Sequence, residues 1–436
     1  MLKSTKFFFL YVCLLLGASS LFSQEKLTLQ QFIETALKSN ENIQVAMESI
    51  NGAEEKINET KSAYYPQATL SASYTRMSLV QEITMPYNGQ MMTIRFGSPN
   101  NYSLKLGVSQ QVYNFGRTGL MVKMNQIGTD LAKENVNQVK HVLSYQLVPL
   151  FYGILFTRDA IKVLDDTSLL FKQKLSIAEE RYKAGLASDF DVSLLKVQIS
   201  TIEGQKIDLL NNIRKWDLTF NRIAGRNLDT TVEPDGSLDF QPFSEEKAGL
   251  VKEAGSSREE LKILEHQDSL AQTQSKLAQT GNKPTLMAAL NYEFRNGYMP
   301  SVNRIKGNWN AVLSASYPVF DGFKTKSQVA QASVSLRTIE KQKTDLLQSI
   351  ELEISQGLED IKTIEQKIEI EKIKIKHAEN ALKIAEDRFR KGMISTTDLI
   401  DSQNAVENAK LNHLQLIYSH VLTRYNVFRA VGRKLY

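Results

Sequence analysis

Four short segments of the chain alternate strictly between apolar and polar positions. The apolar side chains fall at every second residue, in the sets Ala68, Leu70, Ala72 and Tyr74; Tyr102, Leu104, Leu106 and Val108; Leu286, Ala288, Leu290, Tyr292 and Phe294; and Trp309, Ala311, Leu313, Ala315 and Tyr317. A period of two predicts β-strands that have one apolar face. Strands of about nine to eleven residues can also cross a bilayer when tilted, and aromatic residues near their ends suit the membrane interfaces. The loops inside the two strand pairs, at about 76–101 and 295–308, are expected to be exposed tips.

Two interpretations of these strands are open at this point. They could form soluble hairpins with one buried face, or they could belong to a membrane barrel. Single-chain membrane barrels begin at about eight strands, and lipid does not tolerate an open sheet edge. The membrane interpretation therefore requires several chains, and three chains of four strands would supply twelve.

Two very long tracts between the strands have a helical pattern. Each runs for about 67 residues, from Arg117 to Lys183 and from Lys324 to about Lys391, which is about 100 Å of continuous helix at about 1.5 Å per residue. Apolar residues in the second tract recur at spacings of three and four, namely Leu347, Ile350, Ile354, Leu358, Ile361, Ile364 and Ile368. This spacing on a charged helix predicts a coiled-coil seam.

The two halves of the chain repeat each other. The segment Ala-Glu-Glu-Arg-Tyr-Lys-Ala-Gly-Leu-Ala-Ser-Asp-Phe-Asp at 178–191 recurs as Ala-Glu-Asp-Arg-Phe-Arg-Lys-Gly-Met-Ile-Ser-Thr-Thr-Asp at 385–398, 207 positions later. Upstream, Tyr65-Pro66 matches Lys283-Pro284 at an offset of 218, so 11 extra residues (218 minus 207) lie in the first copy. The chain is therefore predicted to be a tandem duplication, mainly α with a small β part.

The predicted organisation follows from these offsets. It comprises a signal peptide at 1–23; a first structural repeat at 24–230, with a helix at 27–63, a β-hairpin at about 66–112 and a long helical hairpin whose tip is near 184–190; a linker at 231–244; and a second repeat at 245–436, with a helix at 245–280, a β-hairpin at about 284–319 and a tip near 391–397.

The glycine-containing tips carry the signals of one helix ending and another beginning. Gly185 and Gly392 can adopt the left-handed conformation that ends a helix. Ser188 and Ser395 are candidate N-caps, and an aspartate three residues beyond each, Asp191 or Asp398, would complete a capping box.

Asp401 has no place in such a cap. It lies one helical turn after Asp398 on the same face, and its counterpart in the first copy is a leucine. If three chains surround an axis, Asp398 and Asp401 would place six carboxylates around one constriction, an arrangement that favours cations. Helix capping and a pore constriction are both open as roles for Asp398.

The N-terminus has the pattern of an export signal. Lys3 and Lys6 precede an apolar run from Phe7 to Leu16, and small residues follow it. This order predicts a signal peptide that ends near Ser23, and the run is too short for a membrane-spanning helix. The one cysteine of the chain, Cys13, lies inside this run, so disulfides and cysteine metal sites are not expected.

Composition excludes several further classes of function. The chain has 53 Lys and Arg against 48 Asp and Glu, a net charge of +5 that gives little support to binding of nucleic acid. The five histidines do not have the spacing of a zinc site, and the chain has neither a phosphate-binding glycine loop nor a nucleophile elbow. No catalytic, cofactor or metal site is expected, and the protein is not expected to be an enzyme.

The duplicated order of helix, hairpin and long helix, together with the two tip motifs, resembles the TolC-like outer-membrane efflux proteins, the outer membrane factor family. The motifs are Arg181-Tyr182-Lys183-Ala184-Gly185 with Ser188 and Asp191, and Arg388-Phe389-Arg390-Lys391-Gly392 with Ser395, Asp398 and Asp401. The resemblance covers essentially the whole mature chain. It implies a homotrimer with a twelve-stranded β-barrel in the outer membrane and a long α-helical tunnel in the periplasm.

The resemblance also implies a function. The protein would be the passive exit duct of a tripartite efflux or type I secretion system, and its barrel would contact outer-membrane lipid. A periplasmic adaptor protein would open its tip, and an inner-membrane pump of the RND or ABC type would supply the energy. Rival hypotheses are a periplasmic coiled-coil scaffold or adaptor without a pore, and an outer-membrane enzyme.

Individual residues take roles from the same resemblance. Asp398 and Asp401 match the aspartates of the pore constriction, and Asp191 matches a carboxylate of the closed-state network. The residues that match the adaptor-contacting tip are Gly185, Leu186, Ala187, Gly392, Met393 and Ile394. Phe389 and Ile394 stand where a tyrosine and an arginine of the family form closing ties, so this chain cannot make those ties in the same way.

Overall fold

The fold is that of a computed structural model, which describes residues 26–436; the predicted signal peptide lies outside the described residues. Helices dominate, and the prediction of a mainly α chain with a small β part is confirmed. No helix within residues 26–436 combines the length and the apolar character that a bilayer span requires.

Eight α-helices are defined in the described residues. They are α1 (Leu29–Ser39), α2 (Glu41–Lys61), α3 (Arg117–Lys183), α4 (Asp189–Ile223), α5 (Lys247–Ser257), α6 (Glu259–Gln279), α7 (Lys324–Arg390) and α8 (Thr396–Val431). The strands of the same residues are β1 (Lys26–Leu27), β2 (Gln67–Arg76), β3 (Glu82–Tyr87), β4 (Gln90–Arg95), β5 (Asn100–Tyr113), β6 (Glu233–Pro234), β7 (Thr285–Arg295) and β8 (Lys306–Ser316). A 3₁₀ turn at Ser62–Tyr64 follows α2.

The order of elements recurs along the chain. Two short helices, a pair of long strands, a 67-residue helix and a shorter helix follow one another in residues 29–223 and again in 247–431. Helices α3 and α7 start 207 positions apart (324 minus 117), the same offset as the tip motifs. This recurrence supports the division into two repeats, whose boundaries remain a prediction.

Single helices predicted at 27–63 and 245–280 are wrong, because each is a pair of helices. The first pair breaks at Asn40, whose side-chain oxygen accepts hydrogen bonds from the backbone N–H of Asn42 (3.0 Å) and Ile43 (3.3 Å). The Asn40 side-chain amide donates to the carbonyl of Ile223, the last residue of α4 (2.8 Å). The second pair breaks at Arg258, whose guanidinium donates to the carbonyl of Ala430 in the last turn of α8 (3.0 Å). Each break therefore holds the end of the final helix of its own repeat.

Four strands form one antiparallel sheet in the order β2-β5-β7-β8. The register aligns side chains in rows, such as Leu70, Leu106, Tyr292 and Trp309, or Thr69, Gly107, Asn291 and Asn310. Because side chains alternate between the two faces of a strand, one face of the sheet is apolar and the other, called the polar face below, is mainly polar. Strands β2 and β8 are the edges, and each has a neighbour on one side only within the described chain.

The loop at 76–101 was expected to be an exposed tip, but it contains a second small sheet. Strands β3 and β4 pair antiparallel and are joined by Asn88 and Gly89, which both have positive φ angles (48° and 78°). An Asn-Gly pair between alternating segments favours a two-residue hairpin turn. The 11 extra residues of the first copy therefore belong to a folded hairpin.

The chain divides into two compact units, and neither is a contiguous segment. The first unit contains the described residues up to Gln44, Val139–Arg258 and Ile350–Tyr436; the second contains Val45–Gln138 and Glu259–Ser349. In the core of the first unit, Phe32 stacks on Phe220 at 3.7 Å between ring centroids and meets the edge of Phe151 at 5.5 Å.

The predicted seam of α7 is only partly buried. Ile350, Ile354, Ile361 and Ile368 are buried, and Leu358 and Ile364 are half-buried. Leu347 is 42% exposed, so it does not take part in the seam within the described chain.

Candidate functional site

The tip between α3 and α4 ends a helix through backbone hydrogen bonds. Gly185 has a φ angle of 73°, in the left-handed region. Its N–H donates to the carbonyl of Tyr182 (2.9 Å), and the N–H of Leu186 donates to the carbonyl of Arg181 (2.8 Å). These two bonds define a Schellman motif, in which glycine is favoured because it has no Cβ to clash.

The tip between α7 and α8 repeats this geometry. Gly392 has a φ angle of 70°. Its N–H donates to the carbonyl of Phe389 (2.9 Å), and the N–H of Met393 donates to the carbonyl of Arg388 (2.9 Å). The two copies of the motif therefore fold in the same way.

Capping boxes begin the helices that follow both tips. The Ser188 hydroxyl accepts from the backbone N–H of Asp191 (3.2 Å), and the Asp191 carboxylate accepts from the backbone N–H of Ser188 (3.1 Å). The corresponding distances for Ser395 and Asp398 are 3.1 and 3.0 Å. Each serine hydroxyl also donates to its aspartate, at 2.6 Å in the first tip and 2.7 Å in the second.

These hydrogen bonds favour the charged forms of both aspartates. The side chain and backbone N–H of Ser395 hold the pKa of Asp398 below its usual value. Hydrogen bonds from the side chains of Ser188 and Thr396 lower the pKa of Asp191, and the charge of Arg181 acts in the same direction. A hydrogen bond to a carboxylate stabilises the ionised state. Both tips therefore carry fixed negative charge at neutral pH.

Asp401 differs from Asp398 in its contacts. Both side chains are exposed, and the intervening Leu399 and Ile400 are buried, so the two carboxylates share the exposed face of α8. Within the described residues Asp401 has no hydrogen-bond or ion-pair partner. Asp398 thus has a structural contact and Asp401 has none, while the constriction role of both remains a prediction.

The predicted adaptor-contacting residues are not equally accessible. Leu186 and Met393 are each 70% exposed, at equivalent positions after the two glycines. Ala187 and Ile394 are half-buried, and Ile394 packs against the small cluster around Phe389. Large exposed apolar side chains on a loop offer a surface for a partner.

A contact that the sequence did not predict joins the two tips. The Arg181 guanidinium donates to the carbonyl of Phe389 (3.2 Å) and lies 5.6 Å from the centre of the Phe389 ring. A Cβ atom at Gly392 would lie 3.3 Å from Arg181 Nη2. Phe389 itself is buried against Ala385 and Leu399. No signal in the sequence connects these residues, because they are 208 positions apart.

A second contact between the tips involves Asp191. The side chain of Thr396, the buried first residue of α8, helps to lower the pKa of the Asp191 carboxyl. Further along, the Lys174 ammonium pairs with Glu386 at 2.7 Å, and the Gln198 amide donates to Asn404 at 2.9 Å. The two helical hairpins of one chain are therefore held together by polar contacts near their tips.

Metal binding has no support in the side-chain arrangement. Within residues 26–436, no group of three or more His, Cys, Asp or Glu side chains is placed to hold a metal ion. His420 is buried and bonds to Glu365 (3.1 Å), whose carboxylate also accepts from the backbone N–H of Phe243 (2.9 Å). This histidine therefore helps to fasten the predicted linker to α7 and α8.

The cap at Asp398 predicts a pH-dependent loss of stability. Since the pKa of Asp398 is lower in the folded chain than the usual value of about 3.9, its stabilisation is complete above that value and disappears as pH falls through the folded-state pKa. We expect Asp398→Ala to lower the urea midpoint at pH 7, and the difference from the parent protein to shrink below about pH 4.

Asp401→Ala is the matched control, because it removes the same charge one turn away. It should leave the midpoint nearly unchanged at both pH values. Equal losses in the two variants, or a loss at Asp398 that does not change with pH, would contradict the capping role.

Comparison with known proteins places the chain in a family. Residues 32–226 and 250–433 match the family described as Outer membrane efflux protein. Outer membrane protein TolC of Escherichia coli K12 is 22% identical over 432 residues, which are 95% of this chain and 84% of TolC. The probable efflux pump outer membrane protein TtgC of Pseudomonas putida is 20% identical over 415 residues, 93% of this chain and 82% of TtgC.

Solved structures have the same fold. VceC of Vibrio cholerae superimposes with a TM-score of 0.72 at 16% identity, over 94% of this chain and 97% of VceC. CusC superimposes with a TM-score of 0.75 at 14% identity, over 95% of this chain and 96% of CusC. The family match covers both repeats, so the predicted resemblance is confirmed. This chain belongs to the outer membrane efflux protein family, and it is therefore an outer-membrane channel protein and not an enzyme.

Proposed function

We propose that three copies of this chain form a passive exit duct across the outer membrane. The observation that carries the proposal is the exposed apolar face of the sheet β2-β5-β7-β8, whose two edges are unpaired in the part of the chain that the structure describes. Four strands per chain would then complete a twelve-stranded barrel.

The exposed face is too apolar for contact with water. Leu70 is 71% exposed, Trp309 66% and Leu313 75%, and the register sets them among other apolar side chains. Contiguous apolar patches of this kind mark contact with a membrane or a partner. Tyr74 and Tyr102 lie at the loop end of this face, and the ring centroids are 5.1 Å apart. Aromatic residues at a strand end suit a membrane interface.

The edges supply the argument for three chains. Lipid offers no hydrogen-bond partner to backbone groups, so a spanning sheet has to close on itself. If β8 of one chain pairs with β2 of the next, a ring of three chains leaves no edge. CusC, whose fold this chain shares, is a protein in which a transmembrane channel forms.

The partners we propose follow the family. The helices α3, α4, α7 and α8 would form a periplasmic tunnel, and the two glycine tips would form its periplasmic entrance. Leu186 and Met393 would then meet a periplasmic adaptor, together with Gly185, Ala187, Gly392 and Ile394. An inner-membrane pump of the RND or ABC type would drive transport, as the family resemblance implies.

The tip aspartates would form the constriction of the duct. Three copies of Asp398 and Asp401 would give six carboxylates, and mutual repulsion tends to raise the pKa values of such a ring. The capping hydrogen bonds to Asp398 oppose that tendency, because they lower its pKa. Asp191 would belong to the network that holds the duct closed, through its contact with Thr396.

A hydrogen bond from Arg181 would take the place of the side-chain contacts that close the tip in the family and that Phe389 and Ile394 cannot make. Phe389 has no hydroxyl group and Ile394 has no charge, but the backbone carbonyl of Phe389 accepts from Arg181. We infer that this bond ties the first helical hairpin to the second in the closed duct.

Assembly is the first test. We expect the protein to be purified from outer-membrane fractions as a detergent-stable particle with the mass of three chains, measured by light scattering with correction for detergent. It should conduct ions in planar bilayers. A monomer in the soluble periplasmic extract would overturn the duct and favour a scaffold without a pore.

Ion selectivity tests the constriction. We expect Asp398→Asn with Asp401→Asn to bring the cation-to-anion permeability ratio down towards one, because the carboxylates are the charges at the constriction. The ratio is measured from the reversal potential in a KCl gradient. The control is Asp229→Asn with Glu246→Gln, which removes the same charge away from the tips. An unchanged ratio in the tip variant would restrict Asp398 to capping.

Conductance of the closed duct tests Arg181. Arg181→Ala should increase single-channel conductance, because it breaks the bond to Phe389. Arg390→Ala is the matched control, since Arg390 is exposed and occupies the last turn of α7 as Arg181 occupies that of α3. An equal increase in both variants would show that lost charge, and not the lost tie, opens the duct.

A further inference from the structure

Charged side chains of the long sheet are concentrated at its loop end. Strands β2, β5, β7 and β8 contain four cationic residues and one carboxylate: Arg76, Lys105, Arg295 and Lys306, and Glu293. The register aligns Arg295 and Lys306 in one row with Ser73 and Ser103. Lys105 and Glu293 lie in a row two residues away, about 7 Å along the strands and on the same face.

The polar face of the sheet holds three of these cations. Lys105 alternates with the apolar Leu104 and Leu106, so it projects from the face opposite to them. Lys306 and Arg295 are directly paired and share that face. Arg76 has the parity of Tyr74 and belongs to the apolar face.

The one carboxylate cannot neutralise this group. Glu293 accepts a hydrogen bond from the Ser103 hydroxyl (2.6 Å) and lies 3.9 Å from Arg295 Nε. Within the described part of the chain, neither Lys105 nor Lys306 has a carboxylate at ion-pairing distance, and both side chains are exposed. Each chain therefore has an excess of two positive charges on this face (three cations and one anion).

The rest of the polar face is uncharged. Thr69, Gly107, Asn291 and Asn310 form the next polar row, in which the Asn291 amide donates to Asn310 at 2.9 Å. Gln67 and Ser109 are paired in the row beyond. The positive charge is thus confined to the end of the sheet that adjoins the loops.

We propose that Lys105, Arg295 and Lys306 form a basic collar inside the outer mouth of the duct, which binds multivalent anions such as oligophosphates. The collar rests on the proposed function, because it requires three chains with their polar faces around one lumen. Three chains would contribute an excess of six positive charges to the collar (three times two). The constriction proposed at the tips would hold six carboxylates. Rings of lysine and arginine are the arrangement by which pores attract anions and phosphate.

A phosphate could reach basic side chains from two sources, either as a free anion in the lumen or as a lipid headgroup. The two faces of the sheet separate these sources. Lys105 and Lys306 lie on the polar face, whereas Arg76 lies beside Tyr74 at the end of the apolar face. We infer that the collar binds the free anion in the lumen. Arg76→Gln is the matched control, because it removes a charge from the face that would meet lipid headgroups.

The test uses the full-length trimer in phosphatidylcholine bilayers, with tripolyphosphate as the probe. In about 0.1 M KCl, where charges interact over about 10 Å, tripolyphosphate should reduce conductance from one side of the channel only. In Lys105→Gln with Lys306→Gln we expect the half-blocking concentration to rise about tenfold, because the whole excess of positive charge of the ring is removed. Arg76→Gln should change it by less than about twofold, since lipid-side charge does not face the lumen.

The outcomes separate the collar from the duct. Failure to form trimers or channels would overturn the duct and the collar together. Channels that conduct normally but are blocked equally from both sides, or that keep the parental half-blocking concentration in the lysine variant, would overturn the collar alone. A larger effect in Arg76→Gln than in the lysine variant would assign the phosphate site to the lipid face. Trimer mass and circular dichroism of each variant confirm that the fold is intact.

Discussion

The unpaired backbone groups at the two edges of one sheet limit the environments in which this chain is stable. Among residues 26–436, strands β2 and β8 each have one neighbouring strand, and the face between them exposes leucines, tyrosines and a tryptophan. Water can form hydrogen bonds with the edge strands but is unfavourable for the apolar face, whereas lipid suits the apolar face but offers the edge strands no hydrogen bonds. The closure of the sheet by further copies that we propose would satisfy both. The proposed assembly, its lumen and the proposed charge rings rest on that requirement.

Duplication gives one chain two helical hairpins whose tips differ in their side chains. The tips share a Schellman motif and a capping box, so their backbones match. Their side chains have diverged: the first tip provides Arg181 and Asp191, which reach across to the second, and the second provides Asp398 and Asp401 on an exposed face. The same backbone motif thus carries side chains that contact the other tip in the first copy and two exposed carboxylates in the second.

Local signals in the sequence were sufficient for much of this fold. Glycine, serine and aspartate at fixed spacing predicted where the long helices end, because those residues act on backbone groups within a few positions of themselves. Alternation predicted the long strands for the same reason. The hairpin of β3 and β4 had a local signal too, the Asn88-Gly89 pair, but this loop was predicted only to be an exposed tip.

Contacts between distant segments could not be predicted in this way. The break at Asn40 depends on the carbonyl of Ile223, and the tie at Arg181 depends on that of Phe389. In both cases the acceptor is a backbone atom, which any residue could supply. Leu347 is a case in which a local pattern predicted a contact that is not made. Its spacing fits the seam, but its side chain is exposed. Spacing does not specify which stretch of a helix has a neighbour.

The interleaved order of the two compact units has a consequence for how the protein folds. Residues up to Gln44 belong to the same unit as residues from Ile350 to the end of the chain. Arg433 completes that unit by bonding Glu245 and Glu253, each at 2.8 Å. Contacts of such long sequence separation are slow to form. This unit therefore cannot be completed before the last residues are synthesised, and until then its apolar core is exposed to aggregation.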